Sequence, residues 1–324
     1  MAIARTWRSS HHADGPYPAR VDDIPALNQV FSDAFTERYR RDGMVGVRVP
    51  SLNPAIWRYA IEDADGGALI WRDERDDIVA FNIVHRSGVE GWMGPLAVRP
   101  DHQGLGLGKD IVRAGVEWLR QASARVIGLE TMPRTMDNIG FYSGLGFLPG
   151  KLTMTLTLDA TSGDAPPLLL GRLSAPDQEA ALEGCRELVS SLLPGYDFTR
   201  ELAITDRLGL GDTVILRSAD RITGYALCHA VPLVEGRARE ELRVLKLVLE
   251  READLPVIVR SLTGFARRSG TRRVAFRIQT EYLDAYRRLI GLGGRLRWTD
   301  LRMSEADHPE QKAEQGVVWS NWEI

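Results

Sequence analysis

The sequence predicts an α/β protein built from two tandem copies of one domain, each with a mixed sheet. The chain has 324 residues, more than a single domain usually holds. The segment "ATSGDAPP", residues 160–167, is small and polar and ends in prolines, which is typical of a linker. The order of predicted elements before this segment is repeated after it. We therefore expect an N-terminal tail at 1–16, one domain at 17–159 and a second at 168–324.

Hydrophobic periodicity supports each element of the first half. "ARVDDIPALNQVFSDAF" runs from a strand end into an amphipathic helix, and the strands "DDIVAFNIVHR" and "VEGWMGPLAV" follow, joined across a Ser-Gly turn. A helix ("GKDIVRAGVEWLRQAS"), a strand ("RVIGLE"), a helix ("MDNIGFYSGL") and a final strand ("KLTMTLTL") complete the half. Hairpins are antiparallel whereas strand–helix–strand links are parallel, so we expect a mixed sheet.

The second half repeats this plan element by element. "GRLSAPDQEAALEGCRELV" matches the first helix, and "DRITGYALCHAV" and "ELRVLKLVLE" match the two strands. The helix "LPVIVRSLTGFARRSG", the strand "RRVAFRI" and the helix "EYLDAYRRLI" come next, and "RLRWTDLRM" is the closing strand. A period near 150 residues is too long for a solenoid, so two copies of one domain explain the pattern better. We expect each half to end in a strand.

The amino-acid composition indicates which class of partner the protein binds. Apolar residues make up 44% of the chain, and 41 basic against 44 acidic residues leave a net charge of −3. This balance predicts no general attraction to nucleic acid or anionic membranes, so the expected partner is a small molecule. No segment has the apolar length of a signal peptide or a membrane span. Cys185 and Cys228 are far apart and lack metal-ligand spacing, which predicts buried free thiols in a cytoplasmic protein.

A metal site is not expected either. His11 and His12 are adjacent near the N-terminus, but no other ligand types cluster close to them in the sequence. We interpret the pair as part of a solvated tail.

The strongest functional signal is "RPDHQGLGLGKDIV", residues 99–112, with three glycines in five positions before a lysine. A dinucleotide-binding loop would need glycine where Lys109 stands. A nucleoside-triphosphate loop would need glycine in place of Gln103 and a hydroxyl residue in place of Asp110. The spacing that fits is Q-x-x-G-x-G, with its three defined positions at Gln103, Gly106 and Gly108.

This loop resembles the acyl-CoA loop of the GCN5-related N-acetyltransferases, the GNAT family. It follows a predicted strand and opens a predicted helix, whose N-terminus suits a pyrophosphate. A second motif, "IGFYSGLGF" at 139–147, resembles the last motif of the family, in which a helical tyrosine, here Tyr142, precedes a glycine–aromatic pair. The family often has an asparagine seven residues before this tyrosine, where this chain has Thr135. Thr135 is a candidate helix cap, and Asn138 is the nearest asparagine.

The resemblance covers most of residues 17–158 and implies an acetyl-CoA-dependent N-acetyltransferase without a metal. The enzyme would transfer an acetyl or other acyl group to an amine of a small molecule or peptide by direct attack on the thioester. A non-catalytic acyl-CoA-binding sensor or scaffold is the alternative. The cofactor-binding residues that the resemblance implies are Leu96, Ala97, Val98, Gln103, Gly104, Leu105, Gly106, Leu107, Gly108, Lys109, Asn138 and Tyr142.

Two catalytic roles follow from the same resemblance. Tyr142 would protonate the departing thiolate, since phenol and thiol pKa values are close. A backbone N–H of the strand that ends at Val98 would face the developing oxyanion. Some members of the family have a glutamate base on this strand. Here Trp92 takes the nearer position, so Glu90, on the same strand face, is our candidate for the general base. Glu130, at the end of the next strand, and a water relay remain alternatives.

The second half is predicted to be a degenerate copy that does not bind coenzyme A. Its counterpart of the loop, "EREADLPVIV", has no glycine and carries Glu250, Glu252 and Asp254, whose charges would repel a pyrophosphate. Pro256 fits a helix start, and Tyr286, the counterpart of Tyr142, is expected in the core. The half would pack against the first on its acceptor side or mediate a homodimer. The acceptor amine itself is not indicated by the sequence.

Overall fold

The computed structural model describes residues 13–161 and 166–322. The predicted elements of the first half are present in order, together with a helix at Pro54–Asp63 and a strand at Ala68–Asp73 that were not predicted. His11, His12 and the central part of the predicted linker lie outside the described residues. The elements of the first half are β1 (Ala13–Pro18), α1 (Ile24–Arg41), α2 (Pro54–Asp63), β2 (Ala68–Asp73), β3 (Ile78–Ser87), β4 (Glu90–Val98), α3 (Leu107–Gln121), β5 (Val126–Thr131), α4 (Met136–Ser143) and β6 (Phe147–Asp159).

The second half repeats this order and adds one strand. Its elements are β7 (Leu168–Leu169), α5 (Ala175–Leu192), α6 (Thr199–Leu208), β8 (Gly211–Ser218), β9 (Arg221–His229), β10 (Glu241–Leu249), α7 (Leu255–Arg268), β11 (Arg273–Gln279), α8 (Leu283–Gly291), β12 (Arg295–Glu305) and β13 (Val317–Ser320). The matching order confirms two copies of one mixed α/β domain. Within the described residues, no helix has the length and apolarity needed to span a bilayer.

The predicted N-terminal tail is wrong for residues 13–16, because they belong to β1. This strand pairs antiparallel with β2, with Ala13 opposite Asp73 and Tyr17 opposite Ile70. It is an edge strand whose side chains are mostly exposed, so its sequence "ADGPYP" carries no apolar alternation. Proline argues against a central strand but is tolerated in an edge strand. The prolines of this segment therefore hid the strand when only the sequence was considered.

In α3, the helix after the glycine-rich loop, the periodic apolar residues are the ones that are buried. The apolar face predicted for it is buried at Leu107, Ile111, Val112 and Leu119, and Gly115 lies on the same face. An added Cβ at Gly115 would come within 2.5 Å of Asn82 and Met93, so this glycine lets the helix approach β3 and β4 closely. The packing holds the start of α3 firmly against the end of β4.

The sheet is continuous through both halves, and each half contributes a strand to the other. The strand order is β1-β2-β3-β4-β5-β12-β6-β11-β10-β9-β8-β7, and β13 pairs with β10 beside this path. Strand β12 of the second half therefore lies between β5 and β6 of the first half. Strand β6 in turn pairs antiparallel with β11 over seven residue pairs, Arg273↔Asp159 to Gln279↔Thr153. The closing strand predicted for each half is present, but it pairs with strands of the other half.

Buried polar groups also connect the two halves. The ammonium of Lys246 on β10 donates to Ser320 at 2.9 Å and to Ser87 of the first half at 3.4 Å. It lies 4.0 Å above the ring of Trp322 and 3.8 Å from the carboxylate of Glu201. Such a buried charge is tolerated because it is paired and hydrogen-bonded. The second half is thus packed firmly against the first, and Cys185 and Cys228 are buried free thiols, as predicted.

Candidate active site

A cleft opens where the two central strands of the first half separate. β4 and β5 pair in parallel from Glu90↔Val126 to Met93↔Leu129 and diverge beyond that point. At the same place β4 carries one extra residue relative to β3, because Asn82 faces Leu96 while Val84 faces Met93. A β-bulge of this kind redirects the strand and breaks its pairing. The result is a cavity of about 440 Å³ beside the free end of β4.

A buried histidine holds the bulge in place. His85 on β3 lies 3.1 Å from the carbonyl oxygen of Gly94 through Nε2, and its Nδ1 lies 2.9 Å from Asp63. Both ring nitrogens are therefore engaged, which orients the ring and the bulged backbone together. Sequence reasoning missed this residue, because a lone histidine in a strand has no motif around it.

The glycine-rich loop joins this cleft to the start of α3. Gly104 and Gly106 have φ angles of +79° and +96°, in the left-handed region, which a residue with a Cβ enters only at a cost. An added Cβ at either position would meet no atom within 4 Å, so it is the backbone conformation that requires glycine. The side-chain amide of Gln103 donates to the carbonyl of Val98 at 2.8 Å, which ties the loop to β4.

The start of α3 gives this loop its electrostatic character. The first amides of a helix have no acceptor in a preceding turn and point outward with the positive end of the dipole. Gly106 is the N-cap, and Leu107, the first helical residue, has its side chain in the core. Leu105 and Lys109 are exposed. The loop can therefore present amides and one ammonium to an anion.

Seven of the twelve predicted cofactor-binding residues line the cavity itself. The other five, Gly104, Leu105, Gly106, Leu107 and Lys109, belong to the loop and the first turn of α3. The seven residues in the cavity wall are Leu96, Ala97, Val98, Gln103, Gly108, Asn138 and Tyr142. The structure thus collects residues from β4, α3 and α4 around one cleft.

Tyr142 is buried at the wall of this cavity, on α4. Its ring packs edge-on against Phe141 and Phe147, with centroids 5.2 and 6.4 Å away. Among residues 13–161 and 166–322, its hydroxyl has no hydrogen-bond partner. Burial raises the pKa of Tyr142, so the phenol keeps its proton across the physiological range. The arrangement provides a neutral donor that points to no protein acceptor.

The structure contradicts one expectation about the residues just before α4. Thr135 is at the N-cap position, but its side chain makes no capping hydrogen bond and donates to Asp42 at 3.1 Å. The prediction of a threonine cap is therefore wrong, because the acceptor at the end of α1 competes for the hydroxyl. Asn138 donates to Thr131 at 3.3 Å and lies in the cavity wall.

The structure does not bring Glu90 to the cavity. Its carboxylate is buried and accepts hydrogen bonds from Trp92 at 2.9 Å and from Ser320 at 2.6 Å. The strand face that Glu90 shares with Trp92 is covered by the second half, where Trp322 packs against Trp92. Its role as general base gains no support from this geometry, since a base must reach the proton it removes.

Glu130 does line the cavity, but its carboxylate is already engaged. It accepts hydrogen bonds from Thr153 at 2.7 Å and Arg302 at 3.0 Å, and it also pairs with Arg277. Burial alone would raise the pKa of Glu130, yet the two guanidinium groups outweigh it and hold the pKa at about 2. A carboxylate stabilised in this way is a poor proton acceptor.

Sequence reasoning missed the residues that the second half contributes. Asp300 and Trp298 on β12 line the cavity, opposite Arg38 and Tyr39 of α1. An aspartate inside a strand is uncommon, and this was the available signal in "RLRWTDLRM". The signal could not be assigned to the site, because nothing local shows that β12 inserts into the first sheet.

The second half has no comparable cradle at its own loop. Glu250 pairs with Arg221 at 2.8 Å and Asp254 with Arg251 at 2.9 Å. Pro256 lies in the first turn of α7, and Tyr286 packs partly buried against the core, as predicted. Within the described residues, no group of three or more metal-ligating side chains is placed to hold a metal ion.

We expect one acetyl-CoA per chain for this reason. The side chains that replace glycine at the second loop would hold a pyrophosphate away from the backbone, even though the pairing of Glu250 and Asp254 with arginines weakens the repulsion of their charges. Isothermal titration calorimetry of the full chain measures the stoichiometry directly. Two equivalents of acetyl-CoA would show that the second half retains a site.

Comparison with known proteins agrees with this geometry. Residues 26–147 match the profile of the Acetyltransferase (GNAT) family. A curated relative from Pyropia yezoensis, described as the uncharacterised N-acetyltransferase ycf52, is 33% identical over 78 residues, which are 24% of this chain. The match spans 43% of that relative's length.

Two solved structures share the fold along nearly the whole chain. An acetyltransferase candidate from Pyrococcus horikoshii has a TM-score of 0.65 at 16% identity and covers 99% of this chain and 98% of its own. A tandem GNAT protein from the clavulanic acid biosynthesis pathway has a TM-score of 0.59 at 12% identity, with coverages of 93% and 100%. The tandem arrangement is therefore one that a solved protein also adopts.

Proposed function

We propose that the chain is an acyl-CoA-dependent N-acyltransferase whose active site is the cleft of the first half, because residues 26–147 match the acetyltransferase (GNAT) family model. The observation that carries this proposal is the coincidence of the glycine-rich loop, the diverging strands and Tyr142 around one cavity. The acceptor would be an amine of a small molecule or peptide.

The residues present fit acetyl-CoA as the acyl donor. Gly104 and Gly106 hold the loop in a left-handed conformation that leaves space above its backbone, and the start of α3 supplies amides for a pyrophosphate. Leu96 to Val98 form the free strand end along which the pantetheine arm would lie. Acetyl-CoA, when bound, would supply the acyl group as an activated thioester.

The protein would contribute two chemical functions near the thioester. Backbone N–H groups at the bulged end of β4 are suited to stabilise a developing oxyanion, a contribution of about 3 kcal/mol at comparable sites. Tyr142 would donate its proton to the departing sulfur. The burial that raises the pKa of this phenol also destabilises a thiolate beside it, so both proton affinities rise together and transfer remains feasible.

A non-catalytic acyl-CoA sensor is the alternative from another functional class. It would need the loop and the cleft but no proton donor at the thioester. Tyr142 favours the enzyme, because its hydroxyl lies at the cavity wall without a hydrogen-bond partner among the described residues and is available to a leaving sulfur, a role that a sensor does not need.

Thiol release from acetyl-CoA tests the proposed activity. We expect amine-dependent release of free coenzyme A, followed with a thiol-reactive dye across a panel of amines, amino acids and peptides. Hydrolysis in the absence of amine serves as the background. Tight acetyl-CoA binding without turnover on any amine would favour the sensor instead.

A further inference from the structure

A second cavity of about 300 Å³ continues from the first toward the other half of the molecule. The two cavities share six lining residues, which are Phe35, Met93, Gly94, Pro95, Glu130 and Asp300. The far wall of the second cavity belongs to the second half, with Leu233, Arg277 and Trp322. This space, which we call the seam cavity, therefore meets the cleft at the bulge of β4 and at Asp300.

Building on the proposed acyltransfer, we propose that the acceptor binds in the seam cavity as a primary amine with an apolar, ring-bearing body, and that Asp300 of the second half accepts the proton of its ammonium. The first observation is position. Asp300 lies where the two cavities meet, so an amine that approaches the thioester side from the seam cavity passes this carboxylate. A general base must reach its proton directly or through one water.

The second observation concerns the hydrogen bonds and the pKa of the Asp300 carboxylate, compared with the pKa of Glu130. Asp300 accepts one hydrogen bond at each oxygen, from Trp298 at 3.0 Å and from Arg277 at 2.9 Å, which leaves further acceptor capacity at both. Burial raises the pKa of Asp300 against the lowering effect of Arg277. Glu130, by contrast, has its pKa held at about 2. Asp300 is the better proton acceptor of the two.

The third observation is the chemistry of the walls. Aromatic side chains from both halves face the seam cavity, namely Phe31, Phe35, Trp92 and Trp322. Among the described residues, Arg277 is the guanidinium in its wall, and it is already paired with Glu130 and Asp300. An acceptor with a carboxylate would meet these two acids without a free cation to balance it. An ammonium on an apolar body matches the site.

The proposed step balances as follows. The ammonium R–NH3⁺ gives one proton to Asp300 and becomes a free amine. Its lone pair forms the C–N bond to the thioester carbon, and the C–S bond breaks with its electron pair on sulfur, which takes the proton of Tyr142. The nitrogen loses its second proton, which restores Tyr142 through solvent. Asp300, whose side chain is 17% exposed, returns its proton to water, so one H⁺ is released per amide formed.

Steady-state kinetics of Asp300→Asn test the role of the carboxylate, with 2-phenylethylamine as the probe. We expect kcat to fall about 10²-fold, the low end for a positioned acid–base group, while acetyl-CoA affinity stays within about twofold of wild type. Asp159→Asn makes the same chemical change at a 79% exposed carboxylate on β6 and should leave both quantities unchanged. Asp300→Glu should recover part of the rate.

The pH profile separates a base from a structural residue. Activity requires the Asp300 carboxylate, so kcat of the wild type should fall as pH falls through its raised pKa, and Asp300→Asn should lose this acid limb. The charged and titratable groups around Asp300 are Arg277 on β11, Glu130 on β5 and Tyr39 on α1, and His85 on β3 lines the same cavity. A limb that persists in Asp300→Asn would assign the titration to one of them and overturn the proposal.

Substrate comparison and binding test the seam cavity itself. We expect kcat/KM for 2-phenylethylamine to exceed that for phenylalanine, which adds only a carboxylate, by at least roughly tenfold. Leu233→Trp, which fills the cavity from the second half, should raise KM with little change in acetyl-CoA affinity. Equal use of phenylalanine, or an unchanged KM in Leu233→Trp, would overturn the assignment.

Failure of this inference can be distinguished from failure of the proposed function. Turnover of amines by the wild type together with full activity of Asp300→Asn would reject Asp300 and retain the acyltransferase. If the wild type turned over no amine, calorimetry of 2-phenylethylamine on the coenzyme A-loaded protein would still test whether the seam cavity binds the amine. Binding lost in Leu233→Trp would support the seam cavity as the amine site, and absence of binding to wild type would reject it.

Discussion

Replacement of Gly106 by glutamate is expected to abolish acetyl-CoA binding. Gly106 has a φ of +96°, so any side chain strains the loop by about 1–2 kcal/mol. Glutamate also places a carboxylate at the start of α3, where the pyrophosphate would lie, and the two negative charges repel each other. We expect calorimetry to show affinity at least roughly 100-fold weaker, which corresponds to about 2.8 kcal/mol.

A matched control separates this local effect from strain and charge in general. Gly293, in the turn after α8, has a φ of +93°, and an added Cβ there would meet no atom within 4 Å. Gly293→Glu therefore repeats the backbone strain and the charge change away from the loop, and its acetyl-CoA affinity should equal that of wild type. Gly106→Ala isolates strain from charge. Retention of full affinity in Gly106→Glu would remove the loop from the cofactor site.

The second large effect is expected from Tyr142→Phe, with a loss of turnover of roughly 10²–10⁴-fold. The substitution removes only the hydroxyl, which has no hydrogen-bond partner among the described residues, while the ring keeps its packing against Phe141 and Phe147. Folding stability and acetyl-CoA affinity should therefore change little. Thermal unfolding, calorimetry and single-turnover rates of acyl transfer measure the three quantities separately.

The second half offers the corresponding control. Tyr286 on α8 is the counterpart of Tyr142 in the repeated domain and packs partly buried against its core. Tyr286→Phe should leave turnover unchanged, because no glycine-rich loop accompanies this tyrosine. If Tyr142→Phe kept its full single-turnover rate, the proton for the leaving sulfur would come from another donor, such as water.

Local features of the chain were determined by the sequence alone. The period of apolar residues predicted α3 and its buried face, and the repeated order of elements predicted two copies of one mixed α/β domain. The glycine spacing singled out one loop among three phosphate-binding types, and Tyr142 followed from its own motif. The fold predictions succeeded because each depends on residues close together in the chain, whose backbone preferences and periodicity are visible locally, whereas the roles of the loop and of Tyr142 stay predictions.

What only the tertiary structure decided is which strands are neighbours and what covers each face. An alternating pattern identifies a strand but not its partners, so the insertion of β12 between β5 and β6 was not visible in "RLRWTDLRM". That insertion brings Asp300 to the cleft. Glu90, chosen from its strand position, is instead buried under Ser320 and Trp92 of the packed interface. Pairing between distant segments is selected by burial summed over the whole sheet, and no single stretch of sequence records it.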